Sequence, residues 1–266
     1  MNKGFRVRMN TIGCEKNMEK YLNRGKYFTR RLSGTETAMG YLIALPAFLF
    51  CAVYVSSALV KFVFLSLGKS VNYYTVNTAV NLVDDLLMWL LVVFIMRKFL
   101  KRQAVDLKKN FLVTLFSGVV IGYILCVLGN TIGNLLLRFF TSTTTSVNQS
   151  AINSLTKQYP LVMIFMTVFL APVTEELIFR GVVFTSVREH SRVLAYVISA
   201  LLFGFIHVMD SVLAGNLSEM VQMIPYTVMG LVFCYMYEST NSIYGSILTH
   251  MTQNAVAMFF LLQAGM

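Results

Sequence analysis

The chain has 266 residues, 56% of them hydrophobic and only 13% charged, against about 25% charged in an ordinary globular domain. That balance excludes a soluble globular enzyme. The 22 basic residues against 12 acidic ones read as membrane topology rather than nucleic-acid binding, because they sit in discrete segments between apolar runs where they orient the protein and touch anionic lipid. The expected class is all-α, a polytopic transmembrane helix bundle whose partners are membrane lipids, with no nucleic acid.

Residues 1–36 form a basic segment, with Lys3, Arg6, Arg8, Lys16, Lys20, Arg24, Lys26, Arg30 and Arg31 against Glu15, Glu19 and Glu36. They contain no apolar core of signal-peptide length, so they are expected to stay in the cytoplasm and set the orientation. Residues 37–266 are then the transmembrane domain. Apolar runs at 38–60, 74–96, 111–137, 161–184, 193–209, 220–237 and 242–263 predict seven spans, or eight if 62–68 forms a broken or re-entrant segment. The loop with Arg97, Lys98, Lys101, Arg102, Lys108 and Lys109 and the turn with Arg188 and Arg192 fall on the side of the leader. The segment 210–219, which has no Lys or Arg, falls outside, and the Ser/Thr-rich stretch 141–150 reads as a flexible outer loop. This layout suits a bacterial plasma membrane. Cys14, Cys51, Cys126 and Cys234 have no paired spacing, so neither a disulfide nor a zinc knuckle is expected.

Within the fourth run lies A-P-V-T-E-E-L-I-F-R-G, residues 171–181. A charge near the bilayer centre costs about 2.5–3.5 kcal/mol on insertion scales and is rarely kept without a partner or a task. Glu176 and Arg180 are four apart and can pair on one helical face. Glu175 is turned away from that face, with no partner four residues on. Pro172 has no N–H to give and is expected to leave the Val168 carbonyl unbonded, kinking the helix one turn before Glu175.

Two later runs carry F-G-F-I-H and H-M-T-Q-N, each placing a pair of residues on one helical face: Phe203 with His207, and His250 with Asn254. One carboxylate and one imidazole can hold and deprotonate a water. An imidazole N–H and an amide NH2 can stabilise a tetrahedral oxyanion. Measured from the basic ends of their spans, Glu175, His250, Asn254 and His207 lie at depths of roughly 14, 12, 18 and 21 Å, compatible with one site in which His207 is the outlier.

These three stretches resemble the EExxxR, FxxxH and HxxxN motifs of the CPBP intramembrane metalloprotease family, which includes the type II CAAX prenyl endopeptidases and proteins linked to bacteriocin processing and self-immunity. The resemblance covers about 161–266 and implies an intramembrane endopeptidase acting on a peptide or lipidated peptide presented from the lipid or the cytoplasmic side. It implies Glu175 as general base, paired with His207 on the attacking water, and His250 with Asn254 as the oxyanion hole. Glu176 and Arg180 are then structural, and Phe203 packs beside the pair. The family name implies a metal. Glu175, His207 and His250 are the candidate zinc ligands, although no H-E-x-x-H is present and a metal-free Glu/His mechanism is preferred.

Asn81, Asp84 and Asp85 in the second span are not part of those motifs. Intramembrane acids of this kind also mark ion paths, so an ion-coupled transporter is the rival reading. The preferred alternative is hydrogen bonding to Asn130 or Asn134 on the third span. A catalytically silent immunity or scaffold protein on the same fold is the third possibility.

Overall fold

The computed structural model describes residues 28–68 and 72–265, so Lys3 to Lys26 of the basic leader, with Cys14, lie outside the described residues. Among the described residues the chain is helical throughout, with no strand. Helix α1 (Gly34–Ser66) precedes α2 (Tyr73–Ile95), α3 (Arg97–Lys109), α4 (Phe111–Leu137) and α5 (Val147–Gln158). Then come α6 (Pro160–Arg188), α7 (Arg192–Ile206), α8 (Met209–Leu213), α9 (Leu217–Thr240) and α10 (Ile243–Gly265).

Polar caps set the helix starts. Ser33 and Glu36 form a capping box at α1: the Glu36 N–H donates to Ser33 Oγ (3.2 Å) and the Ser33 N–H to the Glu36 carboxylate (2.8 Å). Asn72, Ser146 and Ser191 cap α2, α5 and α7 through their side-chain oxygens.

Among the described residues, five helices are long and apolar enough to cross a membrane: α1, α2, α4, α6 and α9. The protein is an integral membrane helix bundle. The other two expected spans exist as helices but do not meet that standard. Helix α7 has only 15 residues, and the apolar length of α10 is diluted by His250, Thr252, Gln253 and Asn254. No broken segment follows the first span, because residues 62–66 continue α1 as one 33-residue helix. Two expected loops are helical instead. Helix α3 takes up the basic loop and buries Phe99 and Gln103 on one face, and α5 begins inside the Ser/Thr-rich stretch.

Helix α6 is the axis. Half of its most apolar window is buried inside the protein, against 22–33% for the other four long helices. The expected kink at Pro172 takes a different form: Ala171–Glu176 is an α-helical segment between two π-helical ones, Phe165–Leu170 and Leu177–Phe184. A widened turn accommodates a residue that cannot donate, and such turns recur at functional sites. Around α6, helix α9 packs on α7 and α4, α10 crosses α6 and α4, and α1 pairs with α2. Large apolar side chains outside this core, such as Leu42, Phe62, Leu112, Phe139 and Leu161, are exposed, as suits a surface in contact with lipid.

Ion pairs gather at one end of the bundle. Arg102 meets Glu36 (2.7 Å), Arg30 meets Asp106 (2.6 Å), and Arg188 and Arg192 hold the buried Glu238 (2.7 and 2.8 Å). The Arg30 guanidinium keeps the Asp106 carboxyl below the usual carboxylate range.

Helices α7 and α9 cross closely, and a Cβ on Gly230 would stand 2.9 Å from the Ala200 Cα. Gly230→Val is therefore expected to destabilise the bundle by roughly 1–3 kcal/mol. The measurement is thermal unfolding in detergent, followed by a thiol-reactive dye at the buried Cys126 and Cys234; an unchanged midpoint would show that this close approach is not required.

Candidate active site

The site is built around a buried cation. Arg180 is fully buried; it donates Nη1–H to Glu176 (3.2 Å) and Nη2–H to the Gly230 carbonyl (2.8 Å). Its guanidinium lies over the rings of Phe203 (4.5 Å) and Phe233 (5.2 Å), an arrangement that offsets part of the loss of hydration. Phe203 thus packs where the motif places it, between Arg180 and the two histidines, 4.8 Å from the His207 ring and 5.7 Å from the His250 ring.

Glu176 does more than neutralise Arg180. Its Oε1 also lies 3.1 Å from His250 Nδ1. A carboxylate can only accept, so Nδ1 carries the hydrogen and Nε2 keeps its lone pair. The His250 ring is further fixed by stacking on Phe233 (4.4 Å). His207 is held by the same logic: its Nδ1 lies 2.8 Å from the Phe203 carbonyl and must donate, and its ring stacks on Tyr226 (4.2 Å). In both histidines Nδ1 is thus held by an acceptor, and in the neutral ring Nε2 keeps its lone pair.

Glu175 behaves differently from its neighbour. Its Oε2 is buried with no hydrogen-bond partner among the described residues, and it lies 3.9 Å from His250 Nε2. That gap is too long for a direct hydrogen bond. Asn254 donates Nδ2–H to the Thr167 carbonyl (2.8 Å), which leaves a second amide hydrogen.

A cavity of about 510 Å³ brings Glu175, His207, His250 and Asn254 together. All four residues singled out from the motifs line it. The histidine measured next to Glu175 is His250, whereas the motif reading pairs Glu175 with His207. Asn81, Asp84 and Asp85 line the same cavity, as do Asn130 and Asn134. The hydrogen bonds expected between these acids and asparagines are not formed: Asp84 accepts from the Ser56 hydroxyl (3.1 Å), and Asn134 donates to the Asn130 carbonyl of its own helix.

The cavity is one-sided. On α6 its lining runs from Glu175 toward Met163, on α10 from His250 toward Leu261, and on α9 from Phe233 toward Gln222. Each series leads away from the end that carries the Arg102, Arg188 and Arg192 ion pairs. With residues of α5 at its far end, the cavity extends toward the side expected to be external.

Among the described residues, no three His, Cys, Asp or Glu side chains are grouped so as to hold a metal ion. Glu175 and His250 approach each other, but with His207 they do not form a three-ligand set. The residues present do not fit the zinc site that the family name implies.

Residues 157–256 match the family model described as Type II CAAX prenyl endopeptidase Rce1-like. The chain is also 29% identical over 119 residues to a protein of Bacillus subtilis (strain 168) named "Putative membrane peptidase YdiL". That alignment covers 44% of this chain and 44% of the relative, so the similarity spans less than half of either. No solved structure matches. The resemblance read from the three motifs is thus upheld, and the similarities support an intramembrane protease. The matched segment contains Glu175, Glu176, Arg180, Phe203, His207, His250 and Asn254; Asp84 and Asp85 lie outside it.

Sequence spacing paired Glu176 with Arg180 and left Glu176 a structural role. Its second bond, to His250 on another helix, has no sequence signal, since the two residues are 74 positions apart. Removing one member of a buried ion pair typically costs about 3–5 kcal/mol, whereas removing both charges is often close to neutral. Glu176→Gln should therefore melt well below wild type, and Glu176→Gln with Arg180→Met should melt nearer to it. A double variant that melts at or below the single one would show that Arg180 is held mainly by Gly230 and the aromatic rings.

Proposed function

We propose that this chain is an intramembrane endopeptidase, in which Glu175 deprotonates a water held in the cavity and the water attacks a peptide carbonyl. The observation that carries this reading is the unpartnered Glu175 Oε2, 3.9 Å from the Nε2 of a histidine whose tautomer is fixed from behind by Glu176. A carboxylate with open acceptor sites beside a lone pair is suited to take one proton from water while the imidazole orients the other. The second amide hydrogen of Asn254 serves the oxyanion as it develops, and the proton on Glu175 goes to the leaving amine. His207, on the same cavity wall, offers a second Nε2 to the water or the substrate.

The irregular backbone of α6 is consistent with this use. Non-helical or widened backbone at membrane depth is tolerated where it is enclosed by protein or lines a wet cavity. The π-helical segments flank Glu175 and Glu176 on both sides. Because the cavity extends away from the basic end, the peptide enters from that side, which the positive-inside pattern makes the external one. The sequence alone suggests presentation from the lipid or the cytoplasmic side. A prenylated C-terminal peptide, the substrate class named in the matching family description, and an unmodified membrane-bound peptide are the two classes to compare.

The test is cleavage of a peptide panel, with and without a farnesylated Cys, by the full chain in liposomes. Glu175→Gln and His250→Ala are each expected to lower kcat/KM by at least about a hundredfold, with the His207→Ala loss comparable or smaller. Retention of wild-type rates by Glu175→Gln would overturn the mechanism. A severe loss in His207→Ala with little in His250→Ala would move the water to the other histidine.

A further inference from the structure

Asp85 stands apart from the other intramembrane acids. Glu176 is bonded to Arg180 and His250, Asp84 accepts from Ser56, and Glu238 is held by Arg188, Arg192 and Tyr196. Asp85 has no hydrogen bond and no ion pair with any described residue, although it sits at mid-helix in α2 and is half-buried. An ionisable group at that depth is retained where it meets a partner or a ligand. Its side chain faces the same cavity as Glu175, and no Lys or Arg lines that cavity. The same lining also carries Asp84 and the amides of Asn81, Asn130 and Asn134.

We propose that Asp85 is a specificity-determining residue, which receives the positively charged side chain of a Lys or Arg close to the scissile bond of the peptide substrate. This rests on the hydrolytic reading of the cavity and adds to it a substrate class: peptides with a basic residue at or beside the cleaved bond. A basic side chain reaching Asp85 brings with it the one charge that the cavity wall lacks. Asp84, already bonded to Ser56 on α1, holds the helix on which Asp85 is presented.

Two measurements on the full chain in liposomes test this. The first compares kcat/KM for peptide pairs identical except for lysine or norleucine next to the cleaved bond. Wild type should favour the lysine peptide by at least about tenfold. Asp85→Asn should bring the preference to within about twofold, mainly through KM, and Asp85→Glu should restore most of it. The second measurement does not need hydrolysis. Trp89, the chain's one tryptophan, lies one turn beyond Asp85 on the same helix, so its fluorescence can report binding of the same peptides. Tighter binding of the lysine peptide that disappears in Asp85→Asn supports the assignment even if nothing is cleaved, in which case the hydrolytic reading alone falls. Equal cleavage and equal binding of the two peptides by wild type, or a lysine preference unchanged in Asp85→Asn, overturns it. An Asp85-dependent fluorescence change with sodium ions and no lysine preference overturns it in favour of an inorganic cation.

Discussion

Everything else in this bundle is arranged around a guanidinium that has no contact with solvent. Arg180 has zero exposure, and a charge so placed survives only with strong compensation. The compensation comes from three other helices as well as its own. Glu176 supplies the counter-charge from α6, Gly230 a carbonyl from α9, and Phe203 and Phe233 aromatic faces from α7 and α9. His250 on α10 joins through Glu176. Four helices are thereby fixed in rotation and depth. Gly230 shows how closely the requirements are linked, since the missing side chain that lets α9 meet α7 also exposes the carbonyl that Arg180 uses.

This anchoring explains why two adjacent glutamates have opposite fates. Glu176 lies on the face toward Arg180 and is consumed by structure, while Glu175, one residue earlier and about 100° around the helix, lines the cavity with no hydrogen-bond partner for its Oε2. The anchored residue then acts on the free one indirectly. By holding His250 Nδ1–H, Glu176 leaves Nε2 without a proton at the side of Glu175. An all-carboxylate site could not do this, because the like charges would repel without an imidazole between them.

The three motifs were legible because membrane helices have so few polar residues that each one stands out. Their spacing of four was enough to put Phe203 with His207 and His250 with Asn254 on common faces. What escaped was of two kinds. Helices α3 and α5 are too polar for an apolar run to reveal them; α3 shows itself only through Phe99 and Gln103, four apart on its buried face. The second kind is long-range pairing. Asp84 with Ser56, Glu176 with His250 and Asn254 with Thr167 join residues on different helices, and spacing along one helix carries no information about them. The shortfall in long apolar spans has the same root as the site itself, since the polar residues that give α10 its chemistry are those that dilute its hydropathy.

The shape of the cavity also bears on the ion-coupled carrier suggested by Asp84 and Asp85. A carrier needs a path to both faces, opened alternately around a central site. Here the lining reaches no further toward the basic end than Glu175, Asp85, Phe233 and His250. Beyond them the bundle is closed by the continuous buried stretch Leu177–Phe184, with Tyr237 and Phe28 packed against Phe184. Moving that plug would mean pulling Arg180 out of its carboxylate, its carbonyl and its two rings together. A rigid floor under a one-sided wet cavity suits a site that receives a chain end or loop, acts on it and releases it by the same route. The same network that joins α6, α7, α9 and α10 around Arg180 closes the way through.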